Sequence, residues 1–344
     1  MRKPKVLIIS PALANANNGN WQTAWRWSRM LAGDFHVEIA QQWDGKPFEV
    51  MLALHARRSA ESIAHWAMAR DQEISAPGLC VVLTGTDLYR DIRSDPLAQQ
   101  SLKMAKNLVV LQELGLQSLP TEYRSKAQVI FQSTSWRQSL HKTKRHLRAV
   151  MVGHLRDEKS PQTLFAAAHL LKDHADIFID HIGEPLDEGL AANARATARA
   201  CPNYRWLGGL PHEATRRLIQ AAHLLIHASK MEGGAHVVME AVCSGTPVLA
   251  SRIDGNVGML GGDYPGYFEM GDAASLVALL IQARRDQARS ASASAPSLMT
   301  QLQTHCSQRA PLFSPAAEQA ALINLVHGLL DSPEIKKIHN DANV

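Results

Sequence analysis

Ser229-Lys-Met-Glu-Gly-Gly-Ala-His-Val-Val-Met-Glu-Ala-Val-Cys-Ser-Gly-Thr-Pro-Val248 reads as a strand end, a glycine turn, a helix and the start of the next strand. Gly245 is placed to stop the helix as its C-cap, and Pro247 leads into the following strand. Gly233 and Gly234 let the backbone bend and approach a ligand with no Cβ in the way. The amides of Gly234, Ala235, His236 and Val237 then stand at a helix N-terminus, where free N–H groups and the positive dipole end suit a pyrophosphate. Glu240 lies inside the helix, where its carboxylate can accept hydrogen bonds from a ribose diol, and Glu232 precedes the turn. An ordinary βα turn with a surface glutamate accounts for the glycines but not for both acids.

Around this stretch the chain alternates short apolar runs with helix-length segments. Val6 to Ile9, Val37 to Ala40, Val50 to Leu54, Cys80 to Leu83, Leu108 to Leu111 and Gln128 to Phe131 predict one series of strands. Ala149 to Val152, Ile177 to Ile179, Tyr204 to Leu207, Leu224 to His227 and Pro247 to Ala250 predict a second. Two such series predict an α/β protein of two Rossmann-like, doubly wound domains. The expected boundaries are 1–144, 145–312 and a helical tail over 313–344 that packs back on the first domain, with Leu322, Val326, Leu329 and Leu330 on one face. Trp21, Ala24, Trp25, Ser28 and Leu31 predict a helix whose Trp21/Trp25 face enters the core. No acidic residue occurs from Tyr123 to Arg156, while Arg137, Lys142, Lys144, Arg145 and Arg148 accumulate, as in a cationic hinge or a solvated linker. Ser290 to Pro296 is low-complexity and reads as a loose connection.

Composition narrows the function classes. The formal net charge of +4, from 36 basic and 32 acidic residues, suits small anionic substrates but is too weak to imply nucleic acid. Cys80, Cys201, Cys243 and Cys306 form no CxxC pair or metal-spaced cluster and read as reduced thiols. The basic N-terminus is followed by too short an apolar run for a signal peptide, and no window is long enough for a membrane helix, so a cytoplasmic protein is expected. His223 and His227 lack the further ligands a metal site needs.

Glu232 and Glu240, with seven residues between them and followed by Ala-Val-Cys-Ser-Gly-Thr-Pro-Val, resemble the acidic motif of GT-B glycosyltransferases of the retaining GT4 type. The resemblance implies two Rossmann-like domains with a cleft between them, the first glutamate on the donor sugar and the second on the ribose hydroxyls. Val152-Gly-His-Leu-Arg-Asp-Glu-Lys-Ser-Pro161 is similar to the family loop whose Arg and Lys clamp the donor phosphates, which assigns that role to Arg156 and Lys159. Such a pair stabilises the charge that grows on a departing diphosphate as a metal would, in keeping with the lack of an Asp-x-Asp motif, so no metal and no cofactor are expected. Ser160 stands where the family has glycine. Leu207-Gly-Gly-Leu210, before a helix beginning near His212, matches the segment bordering the base. Arg252-Ile-Asp-Gly-Asn-Val-Gly258 stands at a glycine-rich loop but lacks its acid.

The first half carries the acceptor expectations. Asn15 to Gln22 follows the first strand at the ligand-facing edge of a doubly wound sheet, and Asn18, Gly19 and Asn20 suit an amide-lined anion nest. His55, Arg57 and Arg58 end the third strand, and Thr84 and Asp87 the fourth. Paired arginines suit a small, doubly charged acceptor, their alternative being surface arginines at a helix start. His55 is the one candidate for acid/base help. Asn-Asn-Gly-Asn-Trp-Gln-Thr-Ala24, Leu54-His-Ala-Arg-Arg-Ser-Ala60 and Leu83-Thr-Gly-Thr-Asp-Leu-Tyr-Arg-Asp-Ile92 resemble the selenosugar synthases of selenoneine biosynthesis. That resemblance implies UDP-N-acetylglucosamine as donor, selenophosphate as acceptor, a 1-seleno sugar as product, and UDP and phosphate as leaving groups. Selenium is already an anionic nucleophile, so a strong general base is unnecessary. An ordinary GT4 enzyme with a hydroxyl acceptor, a nucleotide-sugar epimerase and a sugar-nucleotide sensor remain alternatives.

Overall fold

A computed structural model describes residues 2–13, 19–288 and 296–331 of the chain. They divide into two compact units. One gathers the described residues up to Gln132 with those from Pro315 onward, and the other is Ser133–Ser314. The first division therefore falls before the expected 144/145 boundary. Arg137 Nη2 pairs with Glu213 at 2.8 Å, Lys142 Nζ donates to Thr246 Oγ1 at 3.2 Å, and Arg148 Nη1 pairs with Asp180 at 2.9 Å. Three residues of the basic run are thus held by partners within the second unit. The low-complexity stretch lies, for residues 290–295, outside the described residues.

The first unit holds β1 (Lys5–Ile9), β2 (His36–Ala40), β3 (Val50–Leu54), β4 (Ala76–Leu83), β5 (Ala105–Val110) and β6 (Ala127–Val129), all parallel, in the order β2-β1-β3-β4-β5-β6. Every residue of β3 and β4 is buried, which is why these segments read as unbroken apolar runs. Alternate residues serve opposite faces. Val6, Ile8, Val50 and Leu52 pack under the helix Gly19–Leu31 and the terminal helix Pro315–Leu330. Leu7, Ile9, Met51 and Ala53 join the cluster that includes Ile63, Trp66, Ala98 and Leu102.

The Gly19–Leu31 helix differs in phase from its expectation. Thr23, Ala24, Trp27 and Leu31 are buried, whereas Trp25 is 47% exposed. The 3.6-residue period permits either stripe, and a partner from the far end of the chain decides. Trp27 Nε1 donates to Glu318 Oε1 at 2.6 Å, and Arg26 pairs with the same buried carboxylate at 3.0 Å. In the terminal helix the buried face is Leu322, Leu325, Val326 and Leu329, with Leu325 in place of Leu330.

The second unit holds β7 (Leu147–Val152), β8 (Ile177–Ile182), β9 (Tyr204–Trp206), β10 (Leu224–His227), β11 (Val248–Ser251) and β12 (Tyr267–Phe268), again parallel, in the order β12-β11-β10-β7-β8-β9. The two-residue edge strand β12 was not expected, being too short to carry a period. Residues 252–258, expected as a loop, lie largely in the helix Asp254–Leu260. Asn256 Nδ2 donates to Ser251 O at 2.8 Å, and a Cβ on Gly255 would stand 2.1 Å from Glu232 O. Tertiary packing, for which only glycine is small enough, makes this glycine-rich run helical.

Candidate active site

In an open parallel sheet, ligands bind at the carboxyl ends of strands where the strand order reverses. In the second unit that point lies between β7 and β10. The loop after β7 carries Arg156 and Lys159, and the loop after β10 carries Glu232. These two loops meet: Lys159 Nζ donates to Glu232 Oε1 at 2.5 Å, with both side chains largely buried. His227, the last residue of β10, brings Nε2 to 3.4 Å from the same oxygen. Burial pushes the Glu232 carboxyl up, but the Lys159 charge and the His227 contact outweigh it and hold the group well below the usual carboxylate range. Arg156 is exposed, and its guanidinium makes no hydrogen bond or ion pair among the described residues, although its backbone carbonyl accepts from Lys159 N at 3.1 Å.

The turn into the helix His236–Val242 leaves the amides of His236 and Val237 without an acceptor among the described residues. Ala235 departs from expectation, because its N–H points to Met259 Sδ at 3.2 Å and into the interior. Gly233 is buried and Gly234 half-buried beside it. Gly245, at φ 67, is the left-handed residue that ends this helical stretch. Ser160 is also left-handed, at φ 49 and ψ 51, and its Oγ lies 3.0 Å from Thr163 Oγ1. The position favours glycine for that reason, and the Ser160–Thr163 contact offsets part of the strain.

Glu240 is 4% exposed and meets a group the sequence reading missed. Its Oε1 lies 2.6 Å from His212 Nε2, 3.2 Å from His236 Nδ1 and 3.5 Å from Arg216 Nη1. Burial pushes this carboxyl up. Hydrogen bonds from His212 and His236, with the charges of His236 and Arg216, more than offset it and hold it down to about 2. The His212 imidazole is raised in turn, chiefly by its hydrogen bond to Glu240. Arg216 is buried and also donates to Thr134 Oγ1 and Ser135 O. His212 and Arg216 are one turn apart on the helix His212–Ala221, and so are His236 and Glu240 on theirs. That i, i+4 coincidence was visible in the sequence, but the facing of the two helices was not.

In the first unit the strand order reverses between β1 and β3, and the expected acceptor residues lie at that edge. Gly19 and Asn20 open the Gly19–Leu31 helix, and Asn18 lies outside the described residues. His55 is buried at φ 71, with Nε2 3.1 Å from Thr86 Oγ1 and 3.9 Å from Asp91 Oδ2. Burial lowers its pKa. Arg57 Nε pairs with Asp91 Oδ2 at 3.1 Å, while Arg58 is exposed. Asp87 is wholly buried and differs from its expected role. Its Oδ1 accepts from the amides of Thr84 and Gly85, each at 2.9 Å, and its Oδ2 accepts from Ala56 N at 2.9 Å. Both oxygens are spent on tying the β3 and β4 loops together, which shapes the edge and leaves little for a ligand.

Residues 132–296 match the family described as Glycosyl transferases group 1. No curated protein matches the chain by sequence. Among solved structures it is similar to sucrose-phosphate synthase from Thermosynechococcus elongatus, with TM-score 0.71, 15% identity, and 96% of this chain and 99% of that one covered. It is also similar to Anabaena HepE in complex with UDP, with TM-score 0.67, 13% identity, and 95% and 100% covered. A mutant of S. aureus TarM in complex with fondaparinux, alpha-GlcNAc-glycerol and UDP gives TM-score 0.61 at 13% identity over 80% of this chain. The chain spans only 55% of that protein's length. No helix among the described residues is long and apolar enough to cross a membrane. The chain is a two-unit α/β protein of the GT-B fold, and its residues 132–296 match the group 1 glycosyl transferases.

Proposed function

We propose that the protein transfers the sugar of a UDP-sugar, with UDP-N-acetylglucosamine as donor, to selenophosphate. The observation that carries the donor half is the meeting of Lys159 and Glu232 at the β7/β10 reversal, inside the stretch that matches the glycosyl transferases. In this reading Lys159 and Arg156 face the diphosphate and stabilise the negative charge that develops as the C1–O bond breaks, so that no metal is required. The turn amides of Gly234, His236 and Val237 add neutral donors, with Gly233 and Ala235 shaping the turn. Glu232 orients the sugar hydroxyls. Glu240, kept ionised by its cationic neighbours, accepts from the ribose diol. UDP in two of the similar structures supports the nucleotide.

The acceptor half rests on the segments at the first unit's sheet edge. Arg58, with Arg57, Gly19 and Asn20, would hold a small multiply charged anion, and Thr84 and His55 line the same edge. Selenium attacks C1, the C1–O bond electrons leave with UDP, and water then splits the Se–P bond to give the 1-seleno sugar and phosphate. The test is incubation with UDP-N-acetylglucosamine, with and without selenophosphate, followed by mass spectrometry of products. Selenophosphate-dependent UDP release with a selenium-containing sugar is the expected outcome. UDP release only with a hydroxyl acceptor would sink the selenium reading and leave the transferase reading standing.

A further inference from the structure

His227 has no part in the donor contacts above, yet it is 2% exposed and aimed at Glu232. Its protonation pattern follows from its neighbours. Asn256 Nδ2 donates to Ser251 O at 2.8 Å, which turns the Asn256 amide oxygen toward His227 Nδ1 at 2.9 Å. Nδ1 therefore carries a proton that it donates to Asn256. The other nitrogen, Nε2, stands 3.3 Å from Ser229 Oγ and 3.4 Å from Glu232 Oε1. With neutral imidazole, Nε2 accepts from the Ser229 hydroxyl. With imidazolium, it donates to Glu232. Among the described residues the charged group that meets the ring is Glu232, from the loop after β10, and Lys159, from the loop after β7, reaches the same Glu232 Oε1. The helix Asp254–Leu260 contributes the neutral Asn256.

We infer that His227 is a positioning residue that takes over Glu232 when a donor diphosphate draws Lys159 away. The inference rests on the donor reading above. An ammonium cannot neutralise Glu232 and lie against a diphosphate at full strength in both places, and a largely buried carboxylate left alone is costly. A proton taken up on Nε2 supplies the replacement cation and keeps Glu232 ionised toward the sugar. Donor binding is then coupled to uptake of a proton from solvent.

The test is calorimetric titration of UDP-N-acetylglucosamine near neutral pH, in two buffers of different ionisation heat. The sugar diphosphate is itself fully ionised there, so it contributes no proton. The wild type is expected to take up a substantial fraction of one proton per donor bound. His227→Gln, which keeps a donor toward Asn256, is expected to bind the donor with that uptake removed, and its activity is expected to lose the pH dependence that the uptake imposes. Binding without proton uptake in the wild type, or undiminished uptake in His227→Gln, overturns this inference alone. No donor binding at all overturns the donor reading and this inference together. Thermal melting of the variant separates loss of uptake from loss of fold.

Discussion

Replacing Glu240 by Gln tests the ionic group around the His236–Val242 helix. The carboxylate is 4% exposed, and three nitrogens approach its Oε1 within 3.5 Å. Its pKa falls from the ordinary 4.5 to about 2, although burial alone would raise it. A lowered carboxyl pKa stabilises the fold above the ordinary value, and that stability is lost as pH falls from 4.5 toward about 2. At about 1.4 kcal/mol per pKa unit, the contribution is roughly 3 kcal/mol. His212 works with the opposite sign. Its raised pKa stabilises below the ordinary 6.5 and is lost as pH rises through the folded value, but its side chain is 65% exposed and its share is small. Glu240→Gln also leaves the buried Arg216 without its anion, so the variant should lose about 2–4 kcal/mol near neutral pH. The assay is urea unfolding of both proteins near neutral pH and at about pH 3, with NMR titration of His212. The wild type should lose stability steeply on acidification, the variant much less, and the His212 midpoint should drop. A variant within about 0.5 kcal/mol of wild type, with the same acid sensitivity, would refute the reasoning.

Gly255→Ala puts a Cβ 2.1 Å from Glu232 O and 2.9 Å from its carbonyl carbon, both backbone atoms that move only with the loop. A stability loss of at least about 2 kcal/mol is expected by thermal unfolding, together with loss of donor binding, and a silent substitution would contradict the packing. Ser160→Gly relieves a left-handed conformation but gives up the contact to Thr163, so its stability should stay within about 0.5 kcal/mol of wild type. Ser160→Val, a branched residue at the same φ, should cost about 2 kcal/mol, and equal stability of the two variants would remove the strain argument. Asp87→Asn turns an amide NH2 toward at least one of three backbone donors and should cost about 1–3 kcal/mol in unfolding measurements. An unchanged midpoint would return Asp87 to the role of a ligand-facing residue.

The apolar runs were enough to locate the long strands, because a strand buried on both faces must be apolar along its whole length. Gly245 and Pro161 were legible for an equally local reason, each suiting only a few backbone conformations. Glu232, Glu240, Arg156 and Lys159 were visible as a pattern of types and spacings. What they do to one another was not. Lys159 and Glu232 are separated by 73 positions, and only the reversal of strand order between β7 and β10 makes their loops neighbours. The choice between the Trp25 and Trp27 stripes waited on Glu318, 291 positions beyond Trp27. The helical form of residues 254–260 waited on Asn256 and on the backbone of Glu232 beside Gly255. By itself the sequence determined where the chain forms parallel strands and which residues carry charge at their ends. Tertiary structure alone decided which charges share an oxygen, because side chains distant in sequence gain an interaction energy only once the fold has brought them together.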